Sequence, residues 1–421
     1  MSGNFLIVVT TLVTAALLAL AKQNTGQLQL TWQLAAQATG IFGIFWLSWA
    51  YILAARGELL ENWFGGLDKS YRAHQTVAEL AFMSLVYHPA SLILMALPAN
   101  TLALYLLPGG TLAYTLGVAA LYLLITLVVL TLFVDLPYYL WKQTHEWMGM
   151  VIILGGLHAM LITSDVSRFP MLRDWILAWA IGALAAFLYK RYIYYWVLPK
   201  HNYRLQTIKV EKEIAIATLT PTTPTSAIRF APGQYAFFAT GESEKKRDEH
   251  PFSIVDEREG VITIAFTVRG SFTFSFTKLQ PGMSLTVRGP YGTFGERLRD
   301  AKEMVWIAGG IGVTPFISMA KTLAPHQKAL LYHSRKNHEF HEELDQALAA
   351  RQAKPNFTYV PHITGTGGRL TAGVVAGHKW ITSKTRFFLC GPMPMMEELT
   401  AQLTRIGIRR RQIIYEDFGW R

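Results

Sequence analysis

Cysteine is nearly absent: the chain of 421 residues holds one, Cys390. A single cysteine excludes a disulfide within the chain and argues against a Cys-ligated metal site. Charge is scarce too. Only 16% of residues are charged, against about 25% in ordinary soluble domains, and 51% are hydrophobic. The scarcity is confined to one half. Of 39 Lys+Arg and 28 Asp+Glu, only 9 and 8 lie at or before Pro199. The first half is apolar and nearly neutral, the second normally charged and basic, so the two are suited to different solvents. The net charge of +11 comes without basic runs interleaved with aromatics, which excludes the usual nucleic-acid surface. An anionic membrane surface and a polyanionic dinucleotide are the expected partners.

Six apolar stretches approach or exceed the roughly 20 residues that cross a bilayer: 5–21, 32–55, 74–97, 111–134, 145–163 and 174–197. The first lacks a basic leader and a cleavage site after Ala21, so it is expected to be a helix rather than a signal peptide. Gly149, Gly155, Gly156 and His158 dilute the fifth. With both termini cytoplasmic, Arg56, Lys69, Arg72, Lys142, Lys190, Arg191, Lys200 and Arg204 fall inside, and only Lys22, Arg168 and Arg173 fall outside. Basic loops stay inside, so that orientation is expected.

After Pro199 the pattern changes. The runs 205–220, 227–230, 234–239 and 261–268 alternate as strands of an antiparallel barrel do. From Glu303 the rhythm is strand, glycine turn, helix. Short apolar strands at 304–308, 329–333 and 387–389 with helical stretches between them predict a parallel α/β nucleotide-binding layout.

Histidine is confined to four positions in the apolar half: His74, His88, His145 and His158. Ligand-type side chains are costly in a bilayer, so their default reading is functional. Spacings of 14 and 13 residues separate each pair by about 20 Å along a helix. The third and fifth stretches run in the same direction, so His74 can face His145 and His88 can face His158. Two stacked, six-coordinate haems with imidazole on both sides would suit that arrangement. The alternatives are satisfied structural histidines, another metal or a proton path. Phase is the difficulty: at about 100° per residue, a step of 14 returns within about 40° of one face, but 13 misses by about 140°. The fifth stretch must be distorted, which its glycines would permit.

In the polar half, His250-Pro251-Phe252-Ser253 offers a hydroxyl and a shaped turn to a flavin ring. Arg269-Gly270-Ser271-Phe272-Thr273 offers a cation, a glycine for close approach and hydroxyls, which suit a pyrophosphate. Gly309-Gly310-Ile311-Gly312-Val313-Thr314-Pro315 follows an apolar strand and opens a helix. Its backbone N–H groups can cradle a dinucleotide phosphate, although its spacing is not GxGxxG. Ser334-Arg335 ends the next strand, where a guanidinium could clamp a 2′-phosphate; a solvated surface arginine is the other reading. Cys390-Gly391-Pro392 ends the last short strand, where an open parallel sheet lines its ligand.

Together these residues resemble the NADPH oxidase and ferric reductase superfamily of transmembrane flavocytochromes. His74/His88 and His145/His158 match its two haem-ligand pairs, and His250–Ser253 its HPF[ST] flavin motif. Pro232-Gly233-Gln234-Tyr235 matches PGQ[FY], Gly309–Pro315 matches GGxGVTP, and Cys390-Gly391-Pro392 matches the CGP turn beside the nicotinamide. The tail Tyr415-Glu416-Asp417-Phe418-Gly419-Trp420 is similar to the family's aromatic terminus, which would set Phe418 against the flavin, with Trp420 as a substitute.

The resemblance implies a fold: a six-helix transmembrane haem-binding bundle (1–199), then a ferredoxin-NADP reductase-like module. That module would hold an antiparallel β-barrel FAD domain (200–300) and an α/β parallel-sheet NAD(P)H domain (301–421). It implies a multi-pass protein of the bacterial inner membrane, carrying FAD and two b-type haems and oxidising NADPH, with NADH possible. Cys390 and Phe418 would stand at the reacting rings. The acceptor would be O2, giving superoxide; a ferric or other metal-chelate reductase, or an electron-transfer module for a protein partner, is the alternative. No calcium-binding loops are present, and no obligatory regulatory subunit is implied. Two departures bear on the acceptor. Val151 stands where many oxidases of the family have an aromatic residue between the haems, and Leu92 where they often have a second outer histidine.

Overall fold

The computed structural model describes residues 3–25, 31–99, 101–241, 248–377, 381–382 and 384–418. The chain forms two compact units, Met1–Val197 and Leu198–Arg421. Gly419 and Trp420 of the expected aromatic terminus lie outside the described residues.

The first unit is helical: α1 (Gly3–Thr25), α2 (Trp32–Leu53), α3 (Leu67–Ala96), α4 (Leu112–Leu132), α5 (Tyr138–Glu146), α6 (Met148–Leu161) and α7 (Pro170–Leu188). A π turn at Tyr189–Ile193 carries α7 on to Val197. Among the described residues α1, α2, α3, α4 and the extended α7 are long and apolar enough to cross a membrane. The expected span 145–163 is not one helix. It is α5 and α6, meeting at Trp147, and α6 has only 14 residues. The break falls beside Gly149, where any Cβ would collide with the Phe187 ring of α7. The distortion required by the 13-residue spacing is therefore real, and tight packing rather than proline accompanies it.

Hydroxyls and indoles tie α1 into the bundle. Trp46 and Trp49 of α2 donate to Thr11 and Thr10, and Trp175 of α7 donates to Thr14 at 2.9 Å. Such interhelical bonds contribute about 0.6–2 kcal/mol each. The core around them is apolar, with Phe45 and Leu53 of α2 fully buried. Lys22, expected in an outer loop, instead occupies the last turn of α1 and is buried.

The second unit opens with a closed antiparallel barrel in the order β1-β2-β5-β4-β3-β6. Its strands are β1 (Lys200–Glu211), β2 (Ile214–Pro221), β3 (Tyr235–Thr240), β4 (His250–Arg258), β5 (Val261–Thr267) and β6 (Ser284–Tyr291). The run 205–220 is thus two strands, reversing at Lys212, which takes a positive φ of 55°. The run 227–230 forms no strand. Ile228 is buried, but its N–H donates to the Tyr203 hydroxyl rather than to a neighbouring strand. Closure removes the sheet's edges, and alternate side chains such as Phe238, Ile254 and Val287 fill the interior.

A parallel five-stranded sheet follows in the order β11-β10-β7-β8-β9. Its strands are β7 (Glu303–Gly309), β8 (Lys328–Arg335), β9 (Phe357–Ile363), β10 (Arg386–Cys390) and β11 (Ile413–Glu416). From β7 the strand order runs outward in both directions, so β7 and β10 flank a topological switch point. Ligands bind outside the carboxyl ends of strands at such a point.

Candidate functional site

In the helical unit the four histidines meet as two pairs. The rings of His74 and His145 have centroids 6.4 Å apart, and those of His88 and His158 6.2 Å apart. In three of the four, Nδ1 reaches a backbone carbonyl of a neighbouring helix: His74 to Ala50 (2.7 Å), His88 to Ala36 (2.6 Å) and His158 to Ala113 (2.7 Å). A carbonyl only accepts, so Nδ1 is the donor and Nε2 keeps its lone pair. This is the orienting bond that metal-ligating histidines make. His145 differs: its ring stacks on Trp141 at 5.3 Å, and its buried Nδ1 has no hydrogen-bond partner.

Glycines make the His88–His158 pair possible. A Cβ at Gly40 would lie 2.9 Å from His88 Nδ1, and one at Gly117 would lie 2.8 Å from His158 Nδ1. Each ring therefore rests over a glycine and bonds the carbonyl one helical turn before it. A cavity of about 290 Å³ adjoins the pair, walled by Ile44, Leu47, Leu85 and Leu124, with Gln37 and Asp165 among its polar lining. Leu92 and Val151 also line it. The fit to a shared metal can be tested on spacing. With metal–nitrogen distances of about 2.0–2.1 Å and ring centres about 1.1 Å behind each nitrogen, two imidazoles facing each other across one metal would sit roughly 6.3 Å apart. Both pairs have that separation.

In the second unit the motifs gather in two places. His250 begins β4 and its ring stacks on Phe272 at 4.0 Å, so the His250–Ser253 and Arg269–Thr273 segments adjoin. Ser253 is buried opposite Tyr235. Gly270, with a φ of 84°, opens the helix Ser271–Thr277, and the Thr273 hydroxyl closes that turn onto Arg269. Behind them Arg288 and Glu249 form a buried ion pair at 2.6 Å, which the sequence reading missed.

The other place is the switch point. β7 ends at Gly309, a 3-10 turn covers Gly310–Val313, and a helix begins at Thr314 with Pro315 in its first turn. The Thr314 hydroxyl bonds Ile311 O at 2.9 Å. A Cβ at Gly312 would collide with the Cys390 carbonyl, and one at Gly391 would lie 2.9 Å from Gly309 Cα. The two glycine turns therefore pack backbone against backbone, with Pro392 starting the next helix. Cys390 is fully buried between Ala308 and Glu416 in register. Ser334 pairs with Gly309 in register, and Arg335 follows it, bound to Asp345.

His333, another residue the sequence reading missed, holds the glycine turn. Its Nε2 donates to Gly310 O at 2.9 Å, and its Nδ1 accepts from the Tyr359 hydroxyl at 3.1 Å. Burial chiefly, with the Arg335 charge adding, pushes its pKa down to about 4 against the opposing pull of the Gly310 bond. Burial pushes the Tyr359 phenol up to about 12. Two further contacts link barrel and sheet. Gly233 N–H donates to Ser318 at 2.9 Å, and Phe418 meets the Tyr235 ring edge-on at 5.3 Å. Phe418, partly buried, also packs on the core shared by barrel and sheet.

Three family descriptions match successive parts of the chain. Residues 39–156 match the ferric reductase like transmembrane component, 205–295 the oxidoreductase FAD-binding domain and 306–401 the oxidoreductase NAD-binding domain. The reductase component of propane 2-monooxygenase from Mycolicibacterium goodii is 24% identical over 243 residues, covering 52% of this chain and 69% of that protein. A flavohemoprotein from Rhizobium meliloti is 30% identical over 155 residues, 34% of this chain and 38% of that protein. A flavohemoglobin structure from Malassezia yamatoensis covers 93% of this chain and all of its own at a TM-score of 0.53 and 20% identity, a likeness of fold alone. The chain is a membrane oxidoreductase with flavin and nicotinamide-nucleotide domains, built for transmembrane electron transfer from NAD(P)H. Its succession of domains matches the architecture of the NADPH oxidase and ferric reductase superfamily.

Proposed function

We infer that this chain is an NADPH oxidase of the bacterial inner membrane, with both termini cytoplasmic, that reduces O2 to superoxide on the outer side. Residues 1–199 carry two b-type haems, 200–300 bind FAD and 301–421 bind the nucleotide. The observation that carries the reading is the pair of imidazole gaps, 6.4 and 6.2 Å between ring centres, each the size of one shared metal. When bound, FAD accepts hydride from the nicotinamide and the haems carry single electrons across the membrane.

The chain's own share is positioning. His74 with His145, and His88 with His158, would each hold one haem iron between them and so would keep the acceptor away from the metal. His250–Ser253, with Arg269, Gly270, Ser271 and Thr273, frame the flavin and its pyrophosphate. Gly309, Gly310, Gly312 and Thr314 offer backbone N–H groups to the nucleotide phosphates, and Pro315, which has no N–H to offer, fixes the first turn of the helix behind them. Ser334 and Arg335 face its 2′-phosphate, Cys390, Gly391 and Pro392 flank the nicotinamide, and Phe418 covers the flavin.

A ferric-chelate reductase is the second reading, favoured by the ferric reductase like match over 39–156 and by Leu92 and Val151 in the cavity wall. Oxygen uptake with superoxide detection, run beside ferric-chelate reduction on one purified sample, separates the two. Superoxide at a rate matching nucleotide oxidation supports the oxidase; chelate reduction without oxygen uptake refutes it.

A further inference from the structure

α1 carries a single charge, Lys22, and that charge is buried. Its Nζ lies 2.7 Å from Asp165 Oδ2, with the two side chains 2% and 1% exposed, and it also donates to Gln37 Oε1. A lysine near the end of a membrane helix ordinarily snorkels outward to the headgroups. This one is turned inward. Burying two charges costs about as much as their attraction returns, so a need for stability does not account for the pair. Its location offers another account. Asp165 and Gln37 line the cavity that holds His88 and His158, and Lys22 stands behind them. Of the two charged residues, Asp165 lines the cavity and Lys22 does not.

We propose that the Lys22–Asp165 pair sets the reduction potential of the redox group held between His88 and His158. The inference rests on reading that histidine pair as a haem site. Reduction there adds one electron, received from the nucleotide through the electron path and later given to the acceptor. Buried charges act on it through a medium of low dielectric. Asp165, on the cavity wall, opposes the added negative charge; Lys22, one hydrogen bond further back, favours it. The nearer charge prevails, so the pair holds the potential low and favours passing the electron onward.

The two charges therefore have opposite effects, which a packing role cannot imitate. Spectroelectrochemical titration of the full-length holoprotein in micelles, followed by haem absorbance, tests this. Wild-type protein without haem absorbance overturns the histidine reading itself. With two haem transitions present, Lys22→Met should shift one of them about tenfold toward the oxidised form, a fall of about 59 mV for one electron. Asp165→Asn should shift the same transition about tenfold toward the reduced form, and Lys22→Arg should leave it near wild type. Shifts of the same sign in the Met and Asn variants, or none, overturn the proposal. Should Lys22→Met fail to accumulate with haem, Asp165→Asn decides alone: a rise upholds the proposal and any other result overturns it.

Discussion

Arg335 and Asp345 form an ion pair, with Nη1 and Oδ1 2.6 Å apart and the arginine side chain only 9% exposed. The strand end that reads as a 2′-phosphate clamp is thus already occupied by a carboxylate. A phosphate must displace or share that partner, whereas NADH brings no phosphate and meets no competition.

Opposite effects of the two substitutions follow. Charge-assisted hydrogen bonds contribute about 1.5–3 kcal/mol, so Arg335→Ala should raise KM for NADPH at least about tenfold and hardly change it for NADH. Asp345→Asn frees the guanidinium and should lower KM for NADPH several-fold. Steady-state kinetics with both nucleotides check this, and equal effects on NADPH and NADH would remove Arg335 as the selector.

The membrane histidines give a count. His88→Ala or His158→Ala should halve the haem per chain in a pyridine haemochrome assay while FAD content stays at wild type. Gly40→Val or Gly117→Val should do nearly the same, because an added Cβ alone would lie 2.9 Å from His88 and 2.8 Å from His158. Unchanged haem in the histidine variants would sink the assignment.

The histidine pairing and the switch-point glycines were legible because each depends on residue type at fixed spacing. Their supports were not. Ala36, Ala50 and Ala113 act through backbone carbonyls, which any residue could supply, so no side-chain signal marks them. The break at Trp147 has no proline to announce it; what accompanies it is the Phe187 ring on Gly149, a contact between helices. Lys22 reads as a loop charge until Asp165 and Gln37 are brought to it. β9 escaped notice because it contains Pro361, which an edge strand tolerates. β6 contains Gly289-Pro290 near its end, which reads as a turn.

His333 makes the second unit acid-sensitive. Its pKa is about 4 in the folded protein against 6.5 ordinarily. As pH falls through 6.5 the unfolded chain gains a proton there that the folded chain does not, so stability declines until about pH 4. At about 1.4 kcal/mol per pH unit, the loss reaches roughly 3 kcal/mol. Glutamine can still donate to Gly310 O and accept from Tyr359 without titrating. His333→Gln should therefore show a smaller drop in Tm between pH 7.5 and 5 than wild type, read by differential scanning calorimetry of the full chain. An identical drop would mean that other groups govern the acid limb.

Phe418 gives the last prediction. Its ring meets Tyr235 of the barrel edge-on at 5.3 Å and packs on the core shared with the nucleotide sheet. β11 holds it in place, pairing Tyr415 and Glu416 with Leu389 and Cys390. A half-buried aromatic ring at this junction can lie over a flavin that is empty of nucleotide. The nicotinamide needs that same face for hydride transfer, so ring and nucleotide compete. Phe418→Ser should remove the competition and the preorganisation together: altered NADPH/NADH discrimination, slower turnover and more loosely held FAD, with the haem spectrum untouched. The plainer role is packing for the terminal strand. Stopped-flow flavin reduction separates the two, since packing alone predicts a lower Tm with wild-type reduction rate and nucleotide preference. That outcome would falsify a role for Phe418 over the flavin.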